Sequence, residues 1–117
     1  MDDNPVLEKS FAFALRIIRL CKYLSEEKRE YILSKELLTA GTNIGKHVKE
    51  AVIAESRQMF INEFGVARRK ASETEYWLQL LLHAELIRPN EFESIENDRQ
   101  ELIRLMTSIF NIRDKNA

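Results

Sequence analysis

Two glycines and a lysine in the segment LLTAGTNIGKHVKEAV are the first candidates for chemistry. Lys46 directly follows Gly45, and Gly41 lies four positions before Gly45. A phosphate-binding loop has four residues between its glycines, followed by Lys and by a Ser or Thr that holds magnesium. Here only three residues separate the glycines, His47 occupies the hydroxyl position, and no strand is predicted before them. The spacing instead places both glycines on one face of a helix, where a neighbouring backbone can approach closely.

The two histidines give weak support for a metal site. Helical bundles that bind two metal ions use Glu-x-x-His pairs on two of their helices. The residues three positions before His47 and His83 are Ile44 and Leu80, and His47 pairs in spacing with Glu50 only in the reverse order. We therefore expect no metal site and no cofactor. His47 is interpreted as a surface or hydrogen-bonded side chain, and His83 as a favourable group near the C-terminus of a helix.

No nucleophile or carboxylate pair has the surroundings that catalysis needs. A catalytic thiol requires a histidine or a cation that stabilises its thiolate. Cys21 instead belongs to an apolar stripe. Glu73 and Glu75 are two positions apart, and they point to different faces of a helix. The sequence therefore predicts that the protein is not an enzyme.

A local basic surface is the remaining candidate site. Arg68, Arg69 and Lys70 are consecutive, and Lys46 and Lys49 lie on the helix that is predicted to run antiparallel beside them. These five residues are our candidate contact for nucleic acid. The alternative is a solvated face paired with nearby acids, which suits the whole chain better. Its 18 Lys and Arg are balanced by 19 Asp and Glu, giving a formal net charge of −1.

Length and composition favour one small helical domain spanning residues 1–117. A chain of 117 residues suits a single domain. With 44% hydrophobic and 32% charged residues but only 3 Gly and 2 Pro, it has little material for turns. Its single cysteine and the lack of a secretory pattern suggest a reducing cytoplasm. No apolar run approaches the roughly 20 residues that cross a membrane.

Apolar residues at helical spacing predict four amphipathic helices. The stripe of the second helix contains Gly41, Ile44 and Val48, so we expect Gly41, Ile44 and Gly45 to form its packing face. In the fourth stripe, Arg99 occupies one seam position. Short connections between successive helices predict an all-α fold, an up-and-down antiparallel four-helix bundle. The predicted helices cover residues 5–24, 27–54, 57–86 and 91–112.

Capping residues define the predicted helix ends. Asn4 before Pro5 is a typical helix start. Ser25 is the expected cap of the second helix, and Ser56 is the expected cap of the third, where the apolar stripe changes phase. Pro89 is expected to stop the third helix. Asn90 and Glu93 have the spacing of a capping box for the fourth.

The helices carry more apolar surface than one bundle needs. The segment YWLQLLL leaves almost no polar face over two turns, and the first helix also has a wide apolar face. Exposed apolar surface of this kind marks a partner interface, and closed homo-oligomers are the commonest solution. We interpret Tyr76, Trp77 and Leu80 as residues of an oligomer interface or of the core.

Three segments, TAGTNIGKHVKEA, SRQMFINEF and ETEYWLQLLL, resemble the 23S ribosomal RNA intervening-sequence protein family of four-helix bundles. The similarity covers essentially the whole chain and is densest from Leu33 to Ile87. The residues that match the family pattern are Gly41, Ile44, Gly45, Glu50 and Trp77. The chain departs from that pattern at Lys46, His47 and Ala51, where a small residue, Asn and Gly are common.

The resemblance implies a left-turning up-and-down bundle that assembles into a ring, typically a pentamer with a central channel. It implies a bacterial origin and a function that is mostly unassigned. A related branch, the accessory protein of diversity-generating retroelements, binds nucleic acid and a reverse transcriptase through a basic ring. The expected protein is thus a homo-oligomeric scaffold or adaptor. The alternative is a nucleic-acid-binding accessory protein with an RNA or reverse-transcriptase partner.

Overall fold

The computed structural model describes residues 4–116, and it describes the side chains of residues 4–111. The described chain forms four helices and no strand, which confirms the predicted all-α class. Each helix packs against the helices before and after it, and the last packs back against the first. This is the arrangement of an up-and-down bundle. The helices are α1 (Pro5–Glu27), α2 (Leu33–Val52), α3 (Arg57–His83) and α4 (Pro89–Asn116).

One apolar core fills the space between the helices. Each helix contributes side chains at steps of three and four residues, so the buried positions follow one face of each helix. Fully burying a side chain such as Phe64 or Leu78 stabilises the fold by roughly 1.5–3 kcal/mol. The largest side chains with less than 2% exposure include Ile17, Leu24, Leu37, Ile44, Phe64, Leu78, Leu81, Leu102 and Met106.

Two of the predicted caps are confirmed. The side-chain oxygen of Asn4 accepts a hydrogen bond from the backbone N–H of Val6 at 3.1 Å, and Pro5 is the first helical residue. The hydroxyl of Ser56 accepts from the backbone N–H of Met59 at 3.1 Å. The change of phase in the apolar stripe therefore does mark a break between α2 and α3. The observed α2 ends at Val52, two residues earlier than predicted.

The predicted connection between α1 and α2 is wrong. α1 continues through Glu27, and the hydroxyl of Ser25 donates to the carbonyl of Lys22 inside that helix at 3.0 Å. The backbone reverses at Arg29, which has a φ of 52°, and α2 begins only at Leu33. The acidic and basic residues of this segment are good helix formers, so they extend α1 instead of forming the turn.

The cap of α2 is a carboxylate rather than a hydroxyl. Glu30 accepts three backbone N–H groups, those of Ile32 at 3.2 Å, Leu33 at 3.1 Å and Ser34 at 2.8 Å. Burial opposes ionisation of this carboxyl, but the three N–H donors and the Ser34 hydroxyl outweigh it. The pKa of Glu30 is therefore lowered from its ordinary value.

The connection between α3 and α4 also differs from the prediction. α3 ends at His83 instead of residue 86, because Glu85 adopts a φ of 63° and the chain turns there. The N–H of Leu86 donates to the carbonyl of Leu81 at 2.9 Å, and that of Glu85 donates to Leu82 at 3.0 Å. This pair of bonds is a Schellman motif, which satisfies the last free carbonyls of a helix.

Pro89 is the first residue of α4 rather than the stop of α3. Its fixed φ and missing N–H suit the first helical position. The carboxylate of Glu91 accepts the backbone N–H of Arg88 at 3.3 Å. The predicted capping box of Asn90 and Glu93 is therefore wrong: only the acidic half of such a box forms, two residues nearer the N-terminus, because arginine has no side-chain acceptor. At its other end α4 extends to Asn116, beyond the predicted end at residue 112.

No helix in the part of the chain described here is both long enough and apolar enough to span a membrane.

Candidate functional site

The glycines of α2 lie against α1, but in two different ways. Gly41 is buried, and a Cβ atom built on it would stand 2.8 Å from Ile17 Cγ1 and 2.9 Å from Cγ2. Gly45 is half-buried, and its Cβ would stand 3.4 Å from the carbonyl oxygen and the hydroxyl of Ser10. Ile44 is fully buried in the core. The close approach of α1 and α2 therefore requires glycine at position 41 and only permits it at position 45.

An apolar groove runs between α1 and α2 beside Gly45. We call it the α1–α2 groove. Several of its side chains are unusually exposed for their type: Phe11 by 53%, Ile18 by 45% and Ile53 by 63%. Lys46 and Lys49 are the only charged residues in its lining among the side chains that the structure describes. The lining residues are Leu7, Ser10, Phe11, Ala14, Ile18, Thr42, Gly45, Lys46, Lys49, Val52 and Ile53.

A second exposed surface lies between α2 and α3. We call the surface formed by Glu36, Ser72, Glu73, Tyr76 and Trp77 the α2–α3 patch. Tyr76 is 59% exposed, and its ring meets the ring of Trp77 edge to face, with the centroids 5.1 Å apart. Trp77 is half-buried and packs against the core.

Of the three aromatic and aliphatic residues proposed for an interface or the core, none is fully buried within one chain. Tyr76 lies outside the core, and Leu80 is 36% exposed one turn further along α3. Trp77 lies between them and bridges the core to the surface. These residues are therefore placed where a partner could contact them.

The structure does not bring the five candidate basic residues onto one face. Lys46 and Lys49 line the groove on the α1 side of α2. The side chains at positions 68, 69 and 70 point in directions about 100° apart around α3. Lys70 bonds to Glu73 at 3.1 Å, whereas Arg68 and Arg69 are exposed. The predicted contiguous surface is consequently divided between two sides of the bundle.

The two histidines are separated from each other and from any group of ligands. Nδ1 of His47 lies 2.7 Å from a carboxylate oxygen of Glu63, which joins α2 to α3. His83 is the last residue of α3 and is exposed. Among the described residues, no three His, Cys, Asp or Glu side chains are placed to hold a metal ion together.

Cys21 is buried between α1 and α2. Its Sγ donates to the carbonyl oxygen of Ser34 at 3.2 Å. Burial, with a smaller contribution from the negative charge of Glu30, raises the pKa of the Cys21 thiol to about 11. Because the thiolate is the reactive form, this thiol is poorly suited to act as a nucleophile.

A buried ionic cluster between α3 and α4 is the polar feature that sequence reasoning missed. Arg99 bonds to Glu96 twice, at 2.7 Å and 2.6 Å, and to Glu75 at 3.0 Å. It also donates to the backbone carbonyl of Ala71 at 3.4 Å. Burial opposes ionisation of Glu96, but hydrogen bonding and attraction from Arg99 outweigh it, so the pKa of Glu96 is lowered. The sequence signal for this cluster was Arg99, a charged residue at a position of the fourth apolar stripe.

The chain is similar to one known protein family over almost its whole length. A profile of the family described as 23S rRNA-intervening sequence protein matches residues 2–108. A similar crystal structure is that of a protein with unknown function from the S23 ribosomal protein family of Bacteroides thetaiotaomicron VPI-5482, with a TM-score of 0.91. The two chains are 46% identical, and the match covers 95% of this chain and 99% of that one. No curated protein matches the chain significantly.

Proposed function

Since the chain belongs to the 23S rRNA-intervening sequence protein family, we propose that it is a non-enzymatic, homo-oligomeric scaffold or adaptor. The family assignment agrees with the resemblance read from the sequence, which implies a ring of five copies. The similar structure is described as a protein of unknown function, so it supplies no activity. The proposal therefore rests on surfaces of this chain.

The α1–α2 groove is the observation that carries the proposal. Phe11 and Ile18 lie on a face of α1 that is next to its buried stripe. Val52 and Ile53 continue this apolar surface at the end of α2. Each Å² of apolar surface that is removed from water contributes about 25 cal/mol in favour of association. A surface of this kind on a small bundle is best explained by a partner chain.

The reactive groups of the bundle support a structural role. Cys21 is buried and bonded to a backbone carbonyl, Glu96 is bonded to Arg99, and Glu63 is bonded to His47. The contacts of Cys21 and Glu63 each join two helices, and the contact between Glu96 and Arg99 lies within α4. A lone reduced thiol also suits the cytoplasm, where we place the assembly.

Light scattering coupled to gel filtration tests the proposal. At micromolar concentration we expect a mass near five times the 13.8 kDa of one chain. Phe11→Asp should reduce the mass, because it places a charge in the groove. Tyr23→Asp is the matched control, since Tyr23 is an exposed aromatic of the same helix that does not line the groove. A wild-type mass of one chain would contradict the proposal.

The unpaired cations favour RNA binding as the second candidate function. Lys46, Lys49, Arg68 and Arg69 have no hydrogen bond or ion pair with another side chain in the described part of the protein. Phosphate contacts by such groups would give binding that weakens steeply as salt rises. Retention of RNA at low salt, lost in an Arg68→Glu, Arg69→Glu variant, would support this alternative. Unchanged retention in that variant would exclude these two arginines as the contact.

A further inference from the structure

Two exposed surfaces on neighbouring sides of α2 have complementary charges. Among the described residues, the lining of the α1–α2 groove includes the cations Lys46 and Lys49 and no acid. The α2–α3 patch includes the acids Glu36 and Glu73, and no cation lines it within residues 4–111. Opposite charges of this kind align two surfaces and suppress incorrect pairings.

The charges of the two surfaces are only partly neutralised within the chain. Lys70, which lies one turn before Glu73 in α3, bonds to it at 3.1 Å. Glu36 has no ion pair in the described part of the structure, and the same holds for Lys46 and Lys49. Three of the four charges are therefore available to a partner.

The shapes of the two surfaces are complementary as well. In the patch, Tyr76 is 59% exposed on α3 and its ring packs edge to face with the ring of Trp77, while Leu80 lies one turn away. Large side chains of this kind anchor protein interfaces when they enter an apolar recess. The groove provides such a recess, because the small residues Ala14 and Gly45 lie among its bulky apolar residues.

Gly45 supplies an independent reason to expect an occupant. Glycine weakens a helix relative to alanine. At Gly41 the contact with Ile17 explains the glycine, but a Cβ at Gly45 would meet Ser10 only at an ordinary contact distance of 3.4 Å. Packing within one chain therefore leaves Gly45 unexplained, whereas a side chain entering the groove from another copy would require the open space.

Pairing of either surface with its own copy is disfavoured. Two grooves face to face would bring Lys46 and Lys49 of both copies together, and two patches would bring Glu36 and Glu73 together. Pairing of groove with patch avoids both repulsions. Because both surfaces include α2 and lie on adjacent sides of the bundle, this head-to-tail contact rotates each copy relative to the last. Such a contact produces a ring when the rotation closes and a filament when it does not.

From these observations we propose that the α2–α3 patch of one copy, together with the adjacent Leu80, occupies the α1–α2 groove of the next. Tyr76 and Leu80 enter the groove. Glu36 and Glu73 then face Lys46 and Lys49 across the contact. The inference rests on the proposed self-assembly and specifies which surfaces produce it.

Mixing two blocked variants tests the pairing. Phe11→Asp blocks the groove and leaves the patch intact, whereas Tyr76→Asp with Leu80→Asp blocks the patch and leaves the groove intact. Each variant alone should have the mass of one chain. An equimolar mixture should have the mass of two chains, because one intact groove meets one intact patch and the pair cannot extend. Circular dichroism of each variant establishes that it is folded.

A charge exchange gives a second test that uses only exposed positions. Lys46→Glu with Lys49→Glu should reduce the mass to that of one chain. Adding Glu36→Lys and Glu73→Lys to the same chain should restore the wild-type mass, since the attraction is re-formed with opposite sign. A variant with Glu36→Lys and Glu73→Lys alone is the matched control, and it should also fail to assemble.

The outcomes separate this inference from the proposed function. A wild-type protein with the mass of one chain overturns both. A wild-type oligomer whose blocked and charge-reversed variants keep their mass overturns only the pairing. Blocked variants that dissociate but do not pair on mixing, together with a charge exchange that does not restore assembly, also overturn the pairing and leave self-assembly standing.

Discussion

Gly41 of α2 lies directly against the side chain of Ile17 in α1. A Cβ atom at position 41 would stand 2.8 Å from Ile17 Cγ1 and 2.9 Å from Cγ2, which is closer than real Cβ atoms approach. Ile17 is fully buried, so its side chain cannot relieve this contact by turning out into solvent. The separation of α1 and α2 is therefore set by the absence of a side chain at this position.

Replacing Gly41 by Ala should destabilise the bundle. Overpacking a core costs about 1–3 kcal/mol, whereas exchanging Gly for Ala in a helix gains about 1 kcal/mol. We expect a net loss of about 1 kcal/mol in the free energy of unfolding, measured by urea denaturation at one fixed protein concentration. Gly45→Ala is the matched control, and both replacements are compared in the Phe11→Asp background, where no partner is expected in the groove. There Gly45→Ala should be neutral or slightly stabilising. Equal effects at both positions would contradict the assignment of the close contact to Gly41.

Replacing Glu85 by Gly should stabilise the protein. Glu85 ends α3 with a φ of 63°, a left-handed conformation that costs a residue with a side chain roughly 1–2 kcal/mol. Glycine adopts this conformation freely, although it loses more entropy on folding. We expect Glu85→Gly to raise the midpoint of thermal unfolding by a few degrees. Glu85→Ala removes the same charge but keeps the strain, so it should give no comparable increase.

Replacing Glu30 by Gln should weaken the start of α2. The neutral amide cannot accept three backbone N–H groups as the carboxylate does, and loss of a helix cap costs about 1 kcal/mol. The measurement is the free energy of unfolding at neutral pH, with Glu27→Gln as the control. Glu27 is exposed at the end of α1, and its replacement removes the same charge.

The contribution of Glu30 should also depend on pH. Because its pKa is lowered in the folded protein, its stabilisation is present above the unfolded carboxyl pKa, about 4.3. It is lost as the pH falls through the lower folded pKa. The difference between wild type and Glu30→Gln should therefore shrink on acidification. A difference that stays constant down to pH 3 would show that the carboxylate is not the cap.

The positions of the helices could be predicted from sequence because apolar periodicity is a strong signal. The starts of α1 and α3 were also accessible, since Asn4 and Ser56 cap them with local hydrogen bonds. The connection around Ser25 was not, because Glu30 caps α2 with a long side chain that reaches backbone groups up to four residues ahead. A sequence pattern for hydroxyl caps does not detect that arrangement.

The sequence could predict which residues belong to the candidate surfaces, but not how these residues are arranged in space. Spacing alone placed Gly41 and Gly45 on one helical face, but it could not show that Ile17 fills the space beside one and leaves the other open. Likewise, five basic residues close in sequence or on adjacent helices do not form one surface, because their direction around each helix decides which neighbour they face. Which residues share a surface depends on how each packed helix is rotated about its own axis.

Replacing Arg99 by Met should strongly destabilise the protein. Arg99 and Glu96 are both buried, with side chains 8% and 9% exposed. Removing one partner leaves an uncompensated charge in the core, which costs about 3–5 kcal/mol. A double variant with Glu96→Met as well should be more stable than Arg99→Met alone, because it removes the unpaired carboxylate. Urea denaturation of the wild type, both single variants and the double variant gives the coupling between the two residues.

The pH dependence of Arg99→Met should be opposite to that of the wild type. In the wild type, Arg99 holds the pKa of Glu96 below its ordinary value, so this carboxyl contributes stability above about pH 4.3 and loses it on acidification. In the variant, burial remains without the guanidinium, and the folded pKa of Glu96 rises above its unfolded value. The folded variant then binds the proton more tightly, so its stability should increase as the pH falls from 7 towards 5. Parallel pH profiles for the two proteins would mean that Glu75 or solvent, rather than Arg99, determines the ionisation of Glu96.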